Sequence, residues 1–143
     1  MSKSNLHETA YLKLYYQNIA HANIGDSNGL QPSADPGNFY VALYTTDPTD
    51  ADVGTEATYT GYARKSIVRS AVGFDVVDNL LSNALAILFD EATAGSETIT
   101  HWALRTALAG GDLLIHAALD TERLVNAGTK LNIAVGAISN LED

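Results

Sequence analysis

Four carboxylate side chains that could together bind a cation lie within ten residues of one another: Asp47, Asp50, Asp52 and Glu56. Calcium would suit such a group, because it takes about six to eight oxygen ligands. The segment DPTDADVGTE, however, lacks the alternating acidic and amide residues followed by glycine that an EF-hand loop requires. A solvated, exposed loop or a contact with a partner is therefore the favoured interpretation, and a calcium site is the alternative.

The histidines offer a second candidate cluster. None of the four is spaced for a zinc motif such as H-E-x-x-H. His101 and His116 lie in two apolar segments, 99–106 and 113–119, separated by a glycine turn. A hairpin centred near Gly110 would bring the two histidines close together on one face without placing them directly opposite. A polar cross-strand contact is the favoured interpretation, and a metal-binding or pH-sensing pair is the alternative.

Other catalytic and cofactor motifs are missing. The chain has no cysteine, no G-x-S-x-G nucleophile motif and neither of the glycine-rich phosphate-binding motifs. A carboxylate pair for glycan cleavage would need a surrounding cleft, which no part of the sequence predicts. We therefore expect no catalytic residue, no cofactor and no enzymatic activity.

Charge and hydropathy narrow the range of partners. Eight Lys and Arg against 17 Asp and Glu give a net charge of −9, whereas phosphate binding needs clustered basic residues. No apolar run approaches the length of about 18 residues typical of a membrane span, and the N-terminus lacks a signal-peptide core. Neither nucleic acid nor membrane is an expected partner, and synthesis in a cytoplasm is expected.

The elements that must position these residues are mostly strands. One helix is predicted over 5–20, with Asn5 and Glu8 spaced as a capping box, and a glycine- and proline-rich loop follows over 21–37. Apolar runs at roughly ten-residue spacing then predict strands at 39–44, 63–69, 72–77, 80–81, 85–89, 99–106, 113–119 and 131–138. The prediction is a single domain over 1–143 that is mainly β, an antiparallel β-sandwich or jelly-roll-like fold over 38–139 with one N-terminal α-helix.

Tyrosines suggest where partners could bind, because an aromatic ring with a polar group is favoured at protein interfaces. Core packing is expected instead for Phe39, Phe74, Phe89 and Trp102. The interface candidates are Tyr11, Tyr15, Tyr16, Ile24, Leu30, Tyr59 and Tyr62.

Several segments, taken in order, resemble a family of small tailed-bacteriophage virion proteins commonly labelled tail-fibre or minor tail proteins. They are SNLHETAYL, NIGDSNGL, FYVALYTTDPTDA, TGYARKSIVRS, LSNALAILFDEATAGSETITHWAL and GGDLLIHAALDTERLVNAGTKLNIAVGAI. Arg105 departs from the family, which has a small aromatic or glycine-rich strand at ITHWALRTA. The family carries no catalytic residues that could be transferred to this chain.

The resemblance implies a non-enzymatic structural component of the virion, made in the cytoplasm of the bacterial host. The favoured role is a tail accessory or tail-fibre-type protein that assembles as a homo-oligomer, a trimer or hexamer-related form, with other virion proteins and a host surface as further partners. A head decoration (cement) protein that stabilises the capsid is the first alternative. A carbohydrate- or calcium-binding β-sandwich module is the second.

Overall fold

The computed structural model describes residues 2–142 and shows one helix followed by nine strands. Their bounds are α1 Asn5–Gln17, β1 Asn38–Tyr44, β2 Lys65–Val68, β3 Phe74–Val77, β4 Leu80–Asn83, β5 Ile87–Leu88, β6 Ser96–Arg105, β7 Leu113–Asn126, β8 Asn132–Ile133 and β9 Ser139–Leu141. The sheets have the orders β2-β1-β6-β7, β3-β4-β9 and β5-β8. The predicted mainly β fold with antiparallel sheets and one N-terminal helix is confirmed.

The chain forms two compact units. Unit 1 comprises the described residues up to Gly37, Val68–Ile87 and those from Ile133 onward, and unit 2 comprises Asn38–Ile67 and Leu88–Asn132. The single domain over 1–143 stays a prediction, and each unit is described separately.

The helix of unit 1 begins and ends at polar caps. Ser4, in an extended conformation, accepts a hydrogen bond from the backbone N–H of His7. The predicted cap at Asn5 is therefore wrong by one residue. At the other end Asn18 adopts a left-handed conformation with φ 58°, which stops the helix at Gln17 rather than at residue 20.

Helix α1 docks on the first strand of its own unit. Leu12 is fully buried, and the ring of Tyr16 lies 5.6 Å from that of Phe74. The side-chain amide of Gln17 donates to the backbone oxygen of Phe74 at 2.7 Å. Arg69 donates to the last helical carbonyls, those of Leu14 and Tyr15, where a cation also interacts favourably with the helix dipole.

The second half of unit 1 is organised around the buried amide of Asn83. Its Nδ2 donates to the backbone oxygens of Leu85 and Ala134 at 2.8 and 2.9 Å, and its Oδ1 accepts from the N–H of Ile138 at 2.9 Å. Ala134 O and the N–H of Ile138 bond to the Asn83 side chain and not to a neighbouring strand. The strand predicted over 131–138 is therefore wrong over most of its length. Only β8 remains, followed by a turn in which Gly136 has φ 75°.

Unit 2 contains the four-stranded sheet. Strand β1 pairs with β6 in the register Tyr44↔His101, and β6 pairs with β7 in the register His101↔Ala118 and Ala103↔His116. This β6–β7 register confirms the predicted hairpin, although β7 extends to Asn126 instead of ending at residue 119. One face of this sheet carries Tyr44 and the two histidines, and the long connection from β1 to β2, residues 45–64, contacts His116 on that face.

Candidate functional site

The first candidate site is the acidic loop, defined here as residues 45–56, which follows β1. The loop is closed by its own backbone: the N–H of Val53 donates to Pro48 O at 2.8 Å, and that of Thr45 donates to Thr55 O at 2.9 Å. Pro48 is fully buried. Gly54 allows this closure, since a Cβ at Gly54 would lie only 2.5 Å from the Cα of Pro48. The loop is thus a defined structure and not an unsupported insertion.

Arg105 anchors the loop through Asp52. Its Nη1 and Nη2 donate to the two carboxylate oxygens of Asp52 at 2.7 and 2.6 Å. The same guanidinium donates to the Tyr44 hydroxyl at 2.6 Å and to Gly111 O at 2.7 Å. These hydrogen bonds hold the pKa of Asp52 below its usual range and raise that of Arg105, chiefly through the Asp52 contact.

Arg64 anchors the end of the loop through Glu56. Its Nε and Nη2 donate to Glu56 Oε1 and Oε2 at 2.8 and 2.7 Å, and its Nη1 donates to two backbone oxygens of the β6–β7 turn at 2.7 Å. The Tyr62 hydroxyl donates to Glu56 at 2.7 Å. Burial acts to raise the pKa of Glu56, but the hydrogen bonds from Arg64 and Tyr62 outweigh it and leave that pKa lowered.

The first half of the loop meets the histidines of the hairpin. His116 Nδ1 lies 3.3 Å from Asp47 Oδ1, and its Nε2 lies 3.4 Å from Asp50 Oδ1. His101 Nε2 lies 3.9 Å from Asp47 Oδ2. The predicted proximity of the two histidines on one face agrees with the observed register. Their contacts run to the acidic loop, which the sequence did not indicate.

Each of the four carboxylates considered as calcium ligands faces a basic side chain of the protein. Asp52 and Glu56 each face an arginine, and Asp47 and Asp50 face imidazoles. Within residues 2–142 no group of three or more His, Cys, Asp and Glu side chains is arranged to hold a metal ion. The charges of Asp52 and Glu56 are therefore matched by arginines, which hold these two carboxylates in their ionised form, whereas Asp47 and Asp50 lie beside imidazoles.

The predicted interface residues have different degrees of exposure. Tyr16 and Tyr59 are only 4% exposed, so packing within the protein accounts for both. Tyr62 is half-buried and stacks on Phe89, with ring centroids 6.3 Å apart. Of the others, Tyr11 and Leu30 are exposed, whereas Tyr15 and Ile24 are partly so. An interface role for these residues stays a prediction.

A second candidate surface, which the sequence did not reveal, is an apolar row on the three-stranded sheet of unit 1. The register Val77↔Leu80 and Leu80↔Leu141 places three apolar side chains side by side across β3, β4 and β9. They are 65%, 42% and 65% exposed, respectively. Their neighbours in the adjacent row, including Leu81, are turned toward the interior. The pairing of β9 with β4 creates this row, and β9 had no signal of its own in the sequence.

Sequence reasoning missed the roles of both arginines. In the sequence Arg105 stands out only as a departure from a family pattern, and Arg64 only as part of the segment TGYARKSIVRS. An arginine in an otherwise apolar strand was the available signal, since a buried guanidinium needs a carboxylate partner.

The comparisons with known proteins give one family. The family model Gp80, described as podophage GP4 fiber I protein gp80, matches residues 4–140. No curated protein matches the chain. Among the described residues no helix is long and apolar enough to cross a membrane. The family match confirms the resemblance to small tailed-bacteriophage virion proteins.

Proposed function

Since the chain belongs to the podophage GP4 fiber I protein gp80 family and is thus a fibre-type structural protein of the phage particle, we propose that it is a non-enzymatic tail accessory protein. It acts by static recognition. Its surfaces bind further copies of itself and other virion proteins, and the assembled protein presents its remaining surface to the host.

The apolar row of Val77, Leu80 and Leu141 is the observation that carries the assembly proposal. Single exposed apolar residues are normal on a protein surface, but three in register across paired strands form a contiguous patch. Covering such a patch removes apolar area from water and favours association. The proposed occupant is another subunit in the particle, with three-fold or six-fold symmetry as the arrangement.

Strand β7 of unit 2 provides a second surface for assembly. It is the last strand in the order β2-β1-β6-β7, so in the described part of the chain it is paired on one side only. At 14 residues it is long for an edge strand, and such an edge offers unpaired backbone groups to another chain. The register shift between Ile99 and His101 interrupts its pairing with β6 and limits how much of β7 can act as a regular edge.

The acidic loop supports the non-enzymatic part of the proposal. A carboxyl group serves in general acid–base catalysis only if it can exchange its proton near the working pH. The lowered pKa values of Asp52 and Glu56 instead favour permanent charge, and both carboxylates are occupied by arginines. These two carboxylates are better suited to holding the loop in a fixed conformation than to performing a reaction.

The test is the mass of the purified protein in solution, measured by size-exclusion chromatography with light scattering. The expected result is an oligomer that dissociates when Leu80 and Leu141 are both changed to Glu. Leu108→Glu, at an exposed apolar residue of unit 2, is the matched control and should leave the oligomer intact. A monomeric wild-type protein, or an oligomer that tolerates both row substitutions, would contradict assembly through this row.

A further inference from the structure

Strand β7 is the last strand on its side of the four-stranded sheet in unit 2, and no further strand pairs with it in residues 2–142. Every residue from Leu113 to Ala118 is at least partly exposed, whereas Trp102 to Arg105 of the neighbouring β6 are all buried. At such an edge every second residue directs its backbone N–H and C=O away from the sheet. These groups can bind the edge strand of another sheet.

Residues 113–118, named here the edge segment, lack the features that usually protect an edge strand. The segment reads LLIHAA, with no Lys, Arg, Asp, Glu, Pro or Gly, although charged residues, Pro and bulges are the usual protection. The opposite edge of the sheet is protected. Strand β2 has only four residues and includes Lys65, whose Nζ lies 2.6 Å from Asp90 Oδ2. The edge segment is therefore the better site for adding a strand.

The second half of β7 is a poorer edge. Ile99 pairs with Arg123 and His101 pairs with Ala118, so residues 119–122 bulge out against a single residue of β6. This bulge and the residue after it carry the sequence LDTER, in which three of five side chains are charged. A regular added strand can therefore follow β7 only over the edge segment.

We propose that the edge segment pairs with the edge segment of a second copy of the chain, antiparallel and about a two-fold axis at Ile115. The two four-stranded sheets then continue into one sheet. This inference names the partner of the β7 surface and rests on the assembly proposed above.

Symmetry and charge restrict the register of the pair. Directly opposite residues point to the same face of a sheet, and side chains alternate between faces along a strand. A two-fold axis perpendicular to the sheet must therefore pass through a residue and not between two residues. An axis at His116 would place Asp112 of one copy opposite Asp120 of the other, and directly opposed like charges are destabilising. An axis at Leu114 would pair only residues 113–115 of the two segments with each other.

An axis at Ile115 avoids both problems. Residues 113–117 of one copy then pair with residues 113–117 of the other, with Ile115 opposite itself and Leu113 opposite Ala117. Asp112 faces Ala118 in this register, so no carboxylate is set against it. Apolar cross-strand pairs are the contacts that stabilise a sheet.

The charge of the chain also favours this place for self-association. Two copies with a net charge of −9 repel each other, and the edge segment is a stretch to which neither copy brings a formal charge. Asp47 and Asp50 lie beside His116 in both copies. Both carboxylates are largely exposed to solvent, so their repulsion is screened at ordinary salt.

The first experiment is disulfide cross-linking of the full-length protein, which has no cysteine of its own. In Ile115→Cys the two thiols face each other, with Cα atoms about 4.5–5.5 Å apart, within the range of about 4.4–6.8 Å that a disulfide spans. Ala118→Cys is the matched control. Ala118 is the more exposed residue, but its two copies would lie about 20 Å apart along the paired strands.

Mild oxidation should give a disulfide-linked dimer as the main product of Ile115→Cys and only a trace of dimer from Ala118→Cys. Equal yields from the two variants, or a higher yield from Ala118→Cys, would overturn the proposal.

The second experiment is light scattering of the protein in which Leu80 and Leu141 are both changed to Glu, so that the apolar row cannot assemble. The expected mass is that of two chains. Adding Ala117→Lys places a charge against Leu113 of the second copy and should reduce the mass to one chain. Thr121→Lys, which adds the same charge in the bulge, is the control and should leave the dimer intact.

These outcomes separate the two assembly surfaces. A row variant that is already monomeric, while the wild type is an oligomer, would overturn β7 pairing and leave assembly through the row standing. A wild-type protein no larger than a dimer, with efficient cross-linking at Ile115→Cys, would support β7 pairing and contradict assembly through the row.

Discussion

Arg105 and Asp52 form two parallel hydrogen bonds, Nη1 to Oδ1 at 2.7 Å and Nη2 to Oδ2 at 2.6 Å. Asp52 belongs to the acidic loop and Arg105 to the end of β6, so this pair, together with the Arg64–Glu56 pair, ties the long connection from β1 to β2 to the four-stranded sheet of unit 2. The guanidinium side chain is only 7% exposed, whereas the carboxylate is 37% exposed. The arginine is therefore the partner that depends most on the pair.

Asp52→Asn should destabilise the protein, because it leaves a nearly buried guanidinium without its counter-charge. The expected loss in free energy of unfolding is about 1–3 kcal/mol. Urea unfolding checks this value, with Glu122→Gln, at an exposed residue of β7, as the control for removing one surface carboxylate. An Asp52→Asn protein as stable as the control would show that Arg105 does not rely on Asp52.

Acid should weaken unit 2 in a defined window. The pKa values of Asp52 and Glu56 are lowered in the folded protein, so each contributes stability that is complete above its unfolded pKa of about 4 and is lost as pH falls through the folded value. The contribution of these two carboxylates to the free energy of unfolding should be constant above about pH 5 and should decline below about pH 4. The decline should be shallower in Asp52→Asn combined with Glu56→Gln. An equally steep decline in that double variant would assign the acid sensitivity to other groups.

Gly54→Ala should disturb the closure of the acidic loop. A Cβ at this position would lie 2.5 Å from Pro48 Cα and 2.7 Å from Pro48 N, both backbone atoms that cannot move aside easily. We expect a loss of about 1–3 kcal/mol in the free energy of unfolding, the usual cost of overpacking. Gly25→Ala meets open space and costs only the left-handed backbone conformation, about 1 kcal/mol. Thermal unfolding of both variants should rank Gly54→Ala as the less stable, and the reverse order would mean that the loop can relax around a methyl group.

Asn83→Ala should destabilise unit 1 more than any exposed asparagine substitution. The change leaves the buried N–H of Ile138 and the oxygens of Leu85 and Ala134 without the partner that Asn83 provides. The expected loss is about 2–4 kcal/mol, since each unsatisfied buried group costs about 1–3 kcal/mol. Asn132→Ala, at an exposed position, is the control for chemical denaturation. Equal stability of the two variants would show that water replaces the Asn83 amide.

Local patterns predicted the parts of the fold that depend on neighbours in the sequence. Alternation of apolar and polar residues, together with the glycine turn, was enough for the β6–β7 hairpin and for the proximity of His101 and His116. The helix was found by its periodicity, while its ends were misplaced because Ser4 and Asn18 are caps whose conformation depends on single hydrogen bonds and dihedral angles.

Contacts between distant residues could not be predicted in this way. Asn83 takes backbone groups more than fifty residues away, which removes the strand expected over 131–138. Arg105 and Asp52 are likewise 53 residues apart, so spacing carried no sign of the pair. The apolar row appears only once β9 pairs with β4, because Leu141 lies in a short segment without a strand pattern.

The most direct test of the central claim, a tail accessory protein of the virion, is its copy number in purified particles. Quantitative mass spectrometry against the major capsid protein gives this ratio. We expect the protein to be present at a small fraction of the capsid protein, as befits a component of one tail. A near-equimolar ratio would contradict the tail assignment and favour the head decoration alternative. Absence from the particles would contradict a virion role altogether and leave a free carbohydrate- or calcium-binding module as the remaining hypothesis.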